Sequence, residues 1–593
     1  MLMIGISAAL LLILHSSFAQ SDELEFNLDV KAAAIALPKI FKPGVDLSGR
    51  GFHEENTWPQ GAAAKVTLDT WQQDIGFSGI YRLQYNLWEI NELAKDKELQ
   101  QKLLSSYESI IKDINDSQGI LILDIFSTPA GLGKVLDKKS SPWDLRAFKA
   151  LVKQTIQYLS CEKKYNVWYE VWSAPDVDDF YLGREQEYLN LYRAVAEAVG
   201  ELKKEYKVHI PVGGPSTSWW FQNIEGNTII TPERSLIYEL IRFCARFRLP
   251  LDFVSWHGYS TDPKIEKELT RYNKTGVALI RDWLTYFHLN RETPLIVDEW
   301  NYDSGANILA QRHERSNICA SYILSRLKNM YESGLDYQVY FSLEDFHGNK
   351  EGVSRNVGLF WFDQQDPQGK RGAKSTYNIF RMLSLLGKDM LGPSLKSSDG
   401  FVDMLATKSE DYLALLIYNY SDPEIAMNYI SRNIASLNDA ERKIIVRLIK
   451  SRKLDKLIRR ELEPASFRLT KKLKSVLKKA QELNDQAVRF ANSERSAKIN
   501  IKNLNGDYLR QIYTIDSTCA LNCDFVPAEE KTVNIAGAYL EGLVLKPYSV
   551  NLLVFKKKPP ESATPPLEAV GASSAVVQEV KDGREKSLPE HKE

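Results

Sequence analysis

Glu299, Trp300 and Asn301 stand where the apolar run PLIVDE (294–299) ends, and similar groups of carboxylate, ring and hydrogen-bonding side chains stand where other such runs end. Arg82 and Tyr85 lie at the end of SGIYRL (78–83), and Phe126 closes ILILDIF (120–126). Trp172, Ser173, Ala174, Pro175 and Asp176 end NVWYEVWS (166–173), and Gly213 and Gly214 end VHIPVG (208–213). His257 and Tyr259 end LDFVSWH (251–257), and Glu344 and Asp345 follow DYQVYF (336–341). Sugars are bound by this mixture, because aromatic faces stack on the C–H side of a pyranose while carboxylates, histidine and asparagine take its hydroxyls. The inventory describes the rim of a glycan cleft. The plainer alternative, that Trp172, Trp300 and His257 only cap a core, is weakened by their joint occurrence at successive run ends.

The elements that must hold these residues are strands and helices in alternation. With a first strand near 42–48, the runs make eight candidate strands, and the stretches between them, such as 183–204 and 311–331, have helical periodicity with one charged face. Eight such units predict an α/β fold, a (β/α)8 TIM barrel over 42–387, with active groups at the carboxyl ends of its strands. After it, 388–422 and 501–555 alternate like the strands of an accessory β-sandwich, to which 20–41 contributes. The segment 423–500 between them is a basic helical insertion: 441–480 alone holds 15 Lys and Arg against 4 Asp and Glu. Such a segment could dock an anionic glycan, anionic lipid or envelope surface, or be only a solvated helical excursion.

A length of 593 residues suits two or three structural units, and 44% hydrophobic, 11% aromatic and 26% charged residues are globular values. A net charge of −1 gives no whole-molecule field for nucleic acid, so none is expected as a partner. The five cysteines form no CxxC pair; no metal or other cofactor is expected, and at most Cys519 and Cys523 pair. The run 3–14 followed by Ser17-Phe18-Ala19 reads as a signal peptide over 1–19, implying a secreted or periplasmic protein. No Lys or Arg precedes that run, which leaves an uncleaved membrane anchor as the alternative. Residues 556–593 have the composition of a disordered tail.

Seven segments in barrel order resemble glycoside hydrolase family 39, the family of β-xylosidases and α-L-iduronidases. They are LPKIFKPGVDLSG (37–49), YEVWSAPD (169–176), VGGPSTSWW (212–220), LDFVSWHGYS (251–260), LIVDEWNYD (295–303), SLEDFHG (342–348) and 357–383. The resemblance implies a retaining glycosidase in which Glu299, on strand seven, is the nucleophile. Retention needs a second carboxyl group about 5 Å away, which protonates the leaving oxygen and later activates water. The family pattern on strand four is similar to F-E-V-W-N-E-P, whereas this chain reads Tyr169-Glu170-Val171-Trp172-Ser173-Ala174-Pro175. Both the sugar-binding amide and the acid/base are changed, and Ala174 can neither give nor accept a proton.

Glu170 shares the inward face with Ala174 but lies four residues, roughly 13 Å, deeper. Asp176, on the following loop, is the stand-in acid/base the sequence offers, with a solvated or helix-capping aspartate as its plainer reading. By resemblance Arg82, Trp172, Ser173, His257, Tyr259, Trp300, Asn301 and Asp345 contact substrate; Glu344 is an outside proton source and His53 a weaker sugar contact. Glu299 could instead be a buried partner of Arg82 or His257, and alternation turns Asp298 away from it. Two functions follow: a hydrolase of O-glycosidic bonds in an oligo- or polysaccharide or glycoconjugate, or a glycan-binding pseudoenzyme that has lost its acid.

Overall fold

In a computed structural model, the structure describes residues 24–48, 65–225, 231–259, 274–302, 316–347, 354–355, 357–362, 371–392, 395–396, 400–463 and 467–558. The segment assigned to a signal peptide (1–19) lies outside these, as do His53 and all of the assigned tail except 556–558.

Eight parallel strands close a barrel: β1 Gly44–Asp46, β2 Ile80–Asn86, β3 Ile120–Phe126, β4 Val167–Val171, β5 Val212–Thr217, β6 Phe253–His257, β7 Leu295–Trp300 and β8 Tyr337–Tyr340. Near their starts, Ile80, Ile122, Phe253, Ile296, Tyr337 and Val339 pack together. This apolar layer plugs one end, as the inward layers of such barrels do. Two residues on, where alternation returns to the inward face, Ile80 is followed by Arg82, Ile122 by Asp124, Phe253 by Ser255 and Ile296 by Asp298. Register brings the charges together, pairing Asp46 with Arg82 and Asp124 with Glu170. The barrel is therefore apolar at one end and ionisable above it.

β5 differs from its sequence assignment: it runs over 212–217, not 208–213. A Cβ on Gly213 would stand 2.3 Å from the Phe253 carbonyl oxygen of β6, and Gly214 has φ +147°. Small residues here admit the neighbouring strand, and their low strand propensity hides it from the sequence. The helices Glu185–Tyr206 and Asn317–Ser333 fill the expected crossovers. Among the described residues no helix is long and apolar enough to cross a membrane.

The accessory domain is one nine-stranded sheet, ordered 24–29, 495–515, 550–557, 412–419, 402–409, 389–391, 34–36, with 529–545 and 395–396 paired off this path. Its longest strand, 495–515, pairs with 24–29 along its first part and with 550–557 along its second, so the sheet curls over itself. The strand Tyr412–Asn419 is nearly all apolar because both its faces are covered. Leu413, Leu415 and Ile417 enter the core inside the curl, while Ala414, Leu416 and Tyr418 join the core shared with the barrel. Lys328 of the barrel helix 317–333 ion-pairs with Asp403 across this seam. Cys519 and Cys523 form a disulfide, and Asn378 of helix 375–384 donates to the Cys523 carbonyl at 3.1 Å.

Within 423–500 the helices 425–433, 439–450, 453–458 and 471–491 bury a core of their own, which includes Ile430, Ile445, Leu448, Leu457, Leu473 and Leu477. The sheet resumes at Arg495, before the boundary read from sequence, and its last strand continues to Lys557.

Candidate active site

Arg82 is the hub of the upper barrel. Its Nε donates to Glu170 at 2.7 Å, Nη1 to Glu299 at 2.7 Å and to Asp46 at 3.1 Å, and Nη2 to Asp124 at 3.3 Å. Ser255 donates to the other oxygen of Glu170 at 2.6 Å, and Gln84 donates to Asp124 at 3.2 Å. Five buried carboxyl groups, Asp46, Asp124, Glu170, Asp298 and Glu299, thus surround one guanidinium. So much uncompensated charge is costly to bury, and Asp124 and Asp298 respond by holding their protons more tightly. Burial pushes Asp124 and Asp298 well up, with the Glu170 charge adding to the effect at both. The surrounding carboxylates hold Arg82 firmly charged against its burial.

Glu299 is distinct within this cluster. It retains 8% exposure, while Asp46, Asp124, Glu170 and Asp298 have 0%, so it alone of the five reaches toward the open end. Its Oε1 is held by Arg82, with His257 Nε2 at 3.5 Å, and its Oε2 accepts from the Tyr259 hydroxyl at 3.0 Å. Burial pushes Glu299 up to about 7, with Arg82 pulling the other way. His257 is held well below the usual histidine range by burial first and by Arg82 second, so its ring is neutral. Ser216 joins the group, 3.2 Å from His257 Nε2 and 3.4 Å from Arg82 Nη2.

Asp298 does not turn away from this cluster as alternation predicts. β7 carries one more residue than β6 here, since Trp256 pairs with Val297 and His257 with Glu299. The bulge brings Glu299 inward beside Asp298, whose charge partners include Glu170, Arg82 and Glu299. Glu170, set aside in sequence as too deep, is deep but shares one guanidinium with Glu299.

The strand-four side is built differently. Ala174 is buried with φ +44°, its N–H donates to the Ser216 carbonyl at 2.9 Å, and its carbonyl accepts from Val177 at 3.0 Å. Trp172, at φ +72°, is likewise left-handed, a conformation non-glycine residues adopt at a cost. Ser173 is buried at the same exit. Asp176 accepts from the Ser218 backbone at 2.8 Å and from the Ser218 hydroxyl, which ties the β4 loop to the exit of β5. Burial raises Asp176, while the Ser218 bonds lower it.

Several residues expected at the sugar are committed to the protein instead. Trp172 is fully buried against Phe126 and Tyr181, with its indole N–H on the Phe180 carbonyl at 3.0 Å. Trp300 is fully buried and donates to Gln338 at 2.7 Å. Asn301 donates to the carbonyls of Phe341 at 2.5 Å and Val357 at 2.6 Å. Asp345 pairs with Lys374 at 2.5 Å and accepts from Gly358 at 2.9 Å, and Glu344 accepts from Thr67 at 2.5 Å. Trp172 fills space between the end of β3 and the loop after β4, Trp300 fills space between β8 and helix 317–333, and these polar groups fasten the β7 and β8 exits. Arg82, His257, Tyr259 and Glu299 are the predicted residues that the fold does bring together. Asp46, Asp124, Ser216 and Ser255 were missed. The signal for Asp124 and Ser255 was an ionisable or hydroxyl residue two positions beyond the inward apolar Ile122 and Phe253, whereas Asp46 and Ser216 follow Gly44 and Gly214 and carried no such signal.

Against this geometry, the sequence profile of glycosyl hydrolases family 39 matches residues 133–462, more than half of the chain. The chain belongs to glycosyl hydrolases family 39. Two relatives carry the name beta-xylosidase. The one from Geobacillus stearothermophilus is 27% identical over 287 residues, covering 46% of this chain and 50% of the relative. That from Caldicellulosiruptor saccharolyticus is 23% identical over 279 residues, covering 43% and 48%. The chain thus spans about half the length of these relatives. Among solved structures, the GH39 enzyme from Xanthomonas axonopodis pv. citri superposes with a TM-score of 0.60 at 15% identity, covering 92% of this chain and 100% of that one. A monomeric beta-xylosidase from Caulobacter crescentus CB15 gives 0.57 at 15% identity, covering 90% and 99%. At that identity the likeness concerns fold: a TIM barrel with a β-rich accessory domain, as found in this family-39 chain.

Proposed function

We propose that this family-39 protein hydrolyses O-glycosidic bonds with retention, using Glu299 as nucleophile. The observation that carries the reading is Glu299 itself, the one carboxylate of the buried cluster that reaches the mouth. A guanidinium holds one of its oxygens and a phenol the other. Such donors hold the carboxylate still and moderate its charge. Its free electron pair attacks the anomeric carbon as the C1–O bond breaks and the leaving oxygen takes the bonding pair. Water then displaces the carboxylate from C1 and loses a proton. Ala174 supplies no proton to the departing oxygen, a contribution typically worth ~10²–10⁴ in rate. The substrates turned over are therefore those whose leaving groups depart without protonation.

The same alanine favours a second reading, glycan binding without useful turnover, because it is buried and its backbone is pinned at both ends. Two relatives are named beta-xylosidase, which makes xylosides the first compounds to assay. The test compares an aryl β-xyloside bearing an activated phenol with a xylose disaccharide. Cleavage of the aryl glycoside alone, abolished by Glu299→Gln, supports the hydrolase. Binding of xylose oligomers with no cleavage of any aryl glycoside supports the second reading.

A further inference from the structure

The family-39 assignment leaves the helical module within 423–500 without a role. Its stretch 441–480 carries a net +11, so that the other 553 residues together carry −12. The charge is also ordered. On helix 439–450 the inward residues are Glu441, Ile445 and Leu448, whereas Lys443, Arg447 and Lys450 occupy the opposite face at the same 4, 3 spacing and are exposed. On helix 471–491, Leu473, Val476, Leu477 and Ala480 face inward, and the outward Lys471, Lys474 and Lys478 form a second row. Thr470 bonds Glu441, and Lys472 bonds the Ser436 carbonyl, so the beginnings of the two helices are fastened side by side. None of the six cations in these rows makes an ion pair with a described carboxylate.

A lone basic amphipathic helix docks on lipid by sinking its apolar face into the bilayer. Here most of that face is spent: Ile430, Ile445, Leu448, Leu454, Leu457, Ile458, Leu473 and Leu477 are buried in the module's own core, with Ile444, Ile449 and Leu483 packed partly against it. Apart from the exposed Val446 and Val488, what remains outside on these helices is mainly polar, with the cations in rows about 5–6 Å apart, the scale on which a linear polyanion repeats its charges. We propose that this module binds an acidic polysaccharide through the two rows. The choice of carbohydrate over other polyanions rests on the glycosidase reading of the barrel. Holding the polymer on the same chain raises the concentration of its glycosidic bonds near the barrel.

The test measures binding of the full chain to polygalacturonate, to neutral xylan, and to phosphatidylcholine vesicles containing phosphatidylglycerol, over a range of salt. The expected result is binding to polygalacturonate that falls steeply with salt, because a linear polyanion sheds condensed counterions on neutralisation, with no binding to xylan through this module. The triple variants K443E/R447E/K450E and K471E/K474E/K478E should each lose at least ~10-fold in polygalacturonate affinity at low salt, with circular dichroism and aryl-glycoside turnover unchanged. Polygalacturonate affinity unchanged in both variants would overturn the proposal. So would wild-type binding to the vesicles but not to polygalacturonate, or salt-independent binding to xylan and polygalacturonate alike. Because the readout is binding, an inactive barrel with intact polygalacturonate affinity would sink the hydrolase reading and leave this one standing.

Discussion

The two sides of the barrel mouth are unequally equipped. Around β2, β6 and β7, a guanidinium, a phenol and a neutral imidazole are arranged on one carboxylate, with a serine against the imidazole. At the β4 exit, a methyl group sits on a backbone hydrogen-bonded in place, and the nearest loop carboxylate is engaged by Ser218. Retaining hydrolysis asks for attack from one side and proton transfer on the other. On the proposed reading, the difference teaches that the two capacities are separable in one scaffold: the groups for attack are gathered without those for departure.

The comparison breaks most visibly at the attacking side. Glu299→Gln should lower turnover of an activated aryl glycoside on the order of 10⁴-fold or more, measured as initial rates against wild type. A variant retaining most of its activity would move the nucleophile elsewhere. The complementary change repairs the other side. Ser173→Asn with Ala174→Glu should raise turnover of a disaccharide by ~10²–10⁴ and change that of the activated glycoside far less. Equal gains on both substrates would show that the graft improves binding and not proton transfer.

The pH dependence sharpens the contrast further. Attack needs ionised Glu299, whose carboxyl is pushed up to about 7, so kcat/KM for the activated substrate should climb about tenfold per pH unit below that value and then level. With no acid on the other side there is no descending limb, and a symmetrical bell would reveal a retained proton donor. Stability runs in the opposite sense. A carboxyl whose pKa is raised by folding contributes stability that is complete below its unfolded value and lost as pH climbs through about 7. Glu299→Gln should therefore melt above wild type at alkaline pH, with the gap closing in acid. The smallest effect belongs to Asp176→Asn, about 1 kcal/mol of stability through the Ser218 bonds, followed by urea denaturation alongside disaccharide turnover. A fall in turnover beyond what the stability loss explains would give the strand-four side a proton source after all.

Much of this architecture was legible because parallel barrel strands, covered on both faces, must be written as apolar runs, and ILILDIF and LIVDEW are such runs. β5 was displaced because VGGPST is shaped by how near Phe253 comes, which no propensity encodes. Glu299 was legible by its motif. Its surroundings were less so, because Arg82, Asp124 and Glu170 gain meaning only from register, and the β6–β7 bulge reverses what alternation says of Asp298. Trp172, Trp300 and Asn301 misled for the converse reason. Their residue types suit a sugar, but packing against Phe126, Gln338 and Phe341 claims them first.

The strand Tyr412–Asn419, with its alternate side chains in two cores, bears on how this protein can be cut. An expression fragment ending near residue 387 would keep every group gathered around Arg82 yet strip Ala414, Leu416 and Tyr418 from the surface they cover. The bared patch would favour clumping over a monodisperse barrel. The smallest useful fragment for crystallisation or assay therefore keeps the sheet through Phe555, the last buried residue of its final strand.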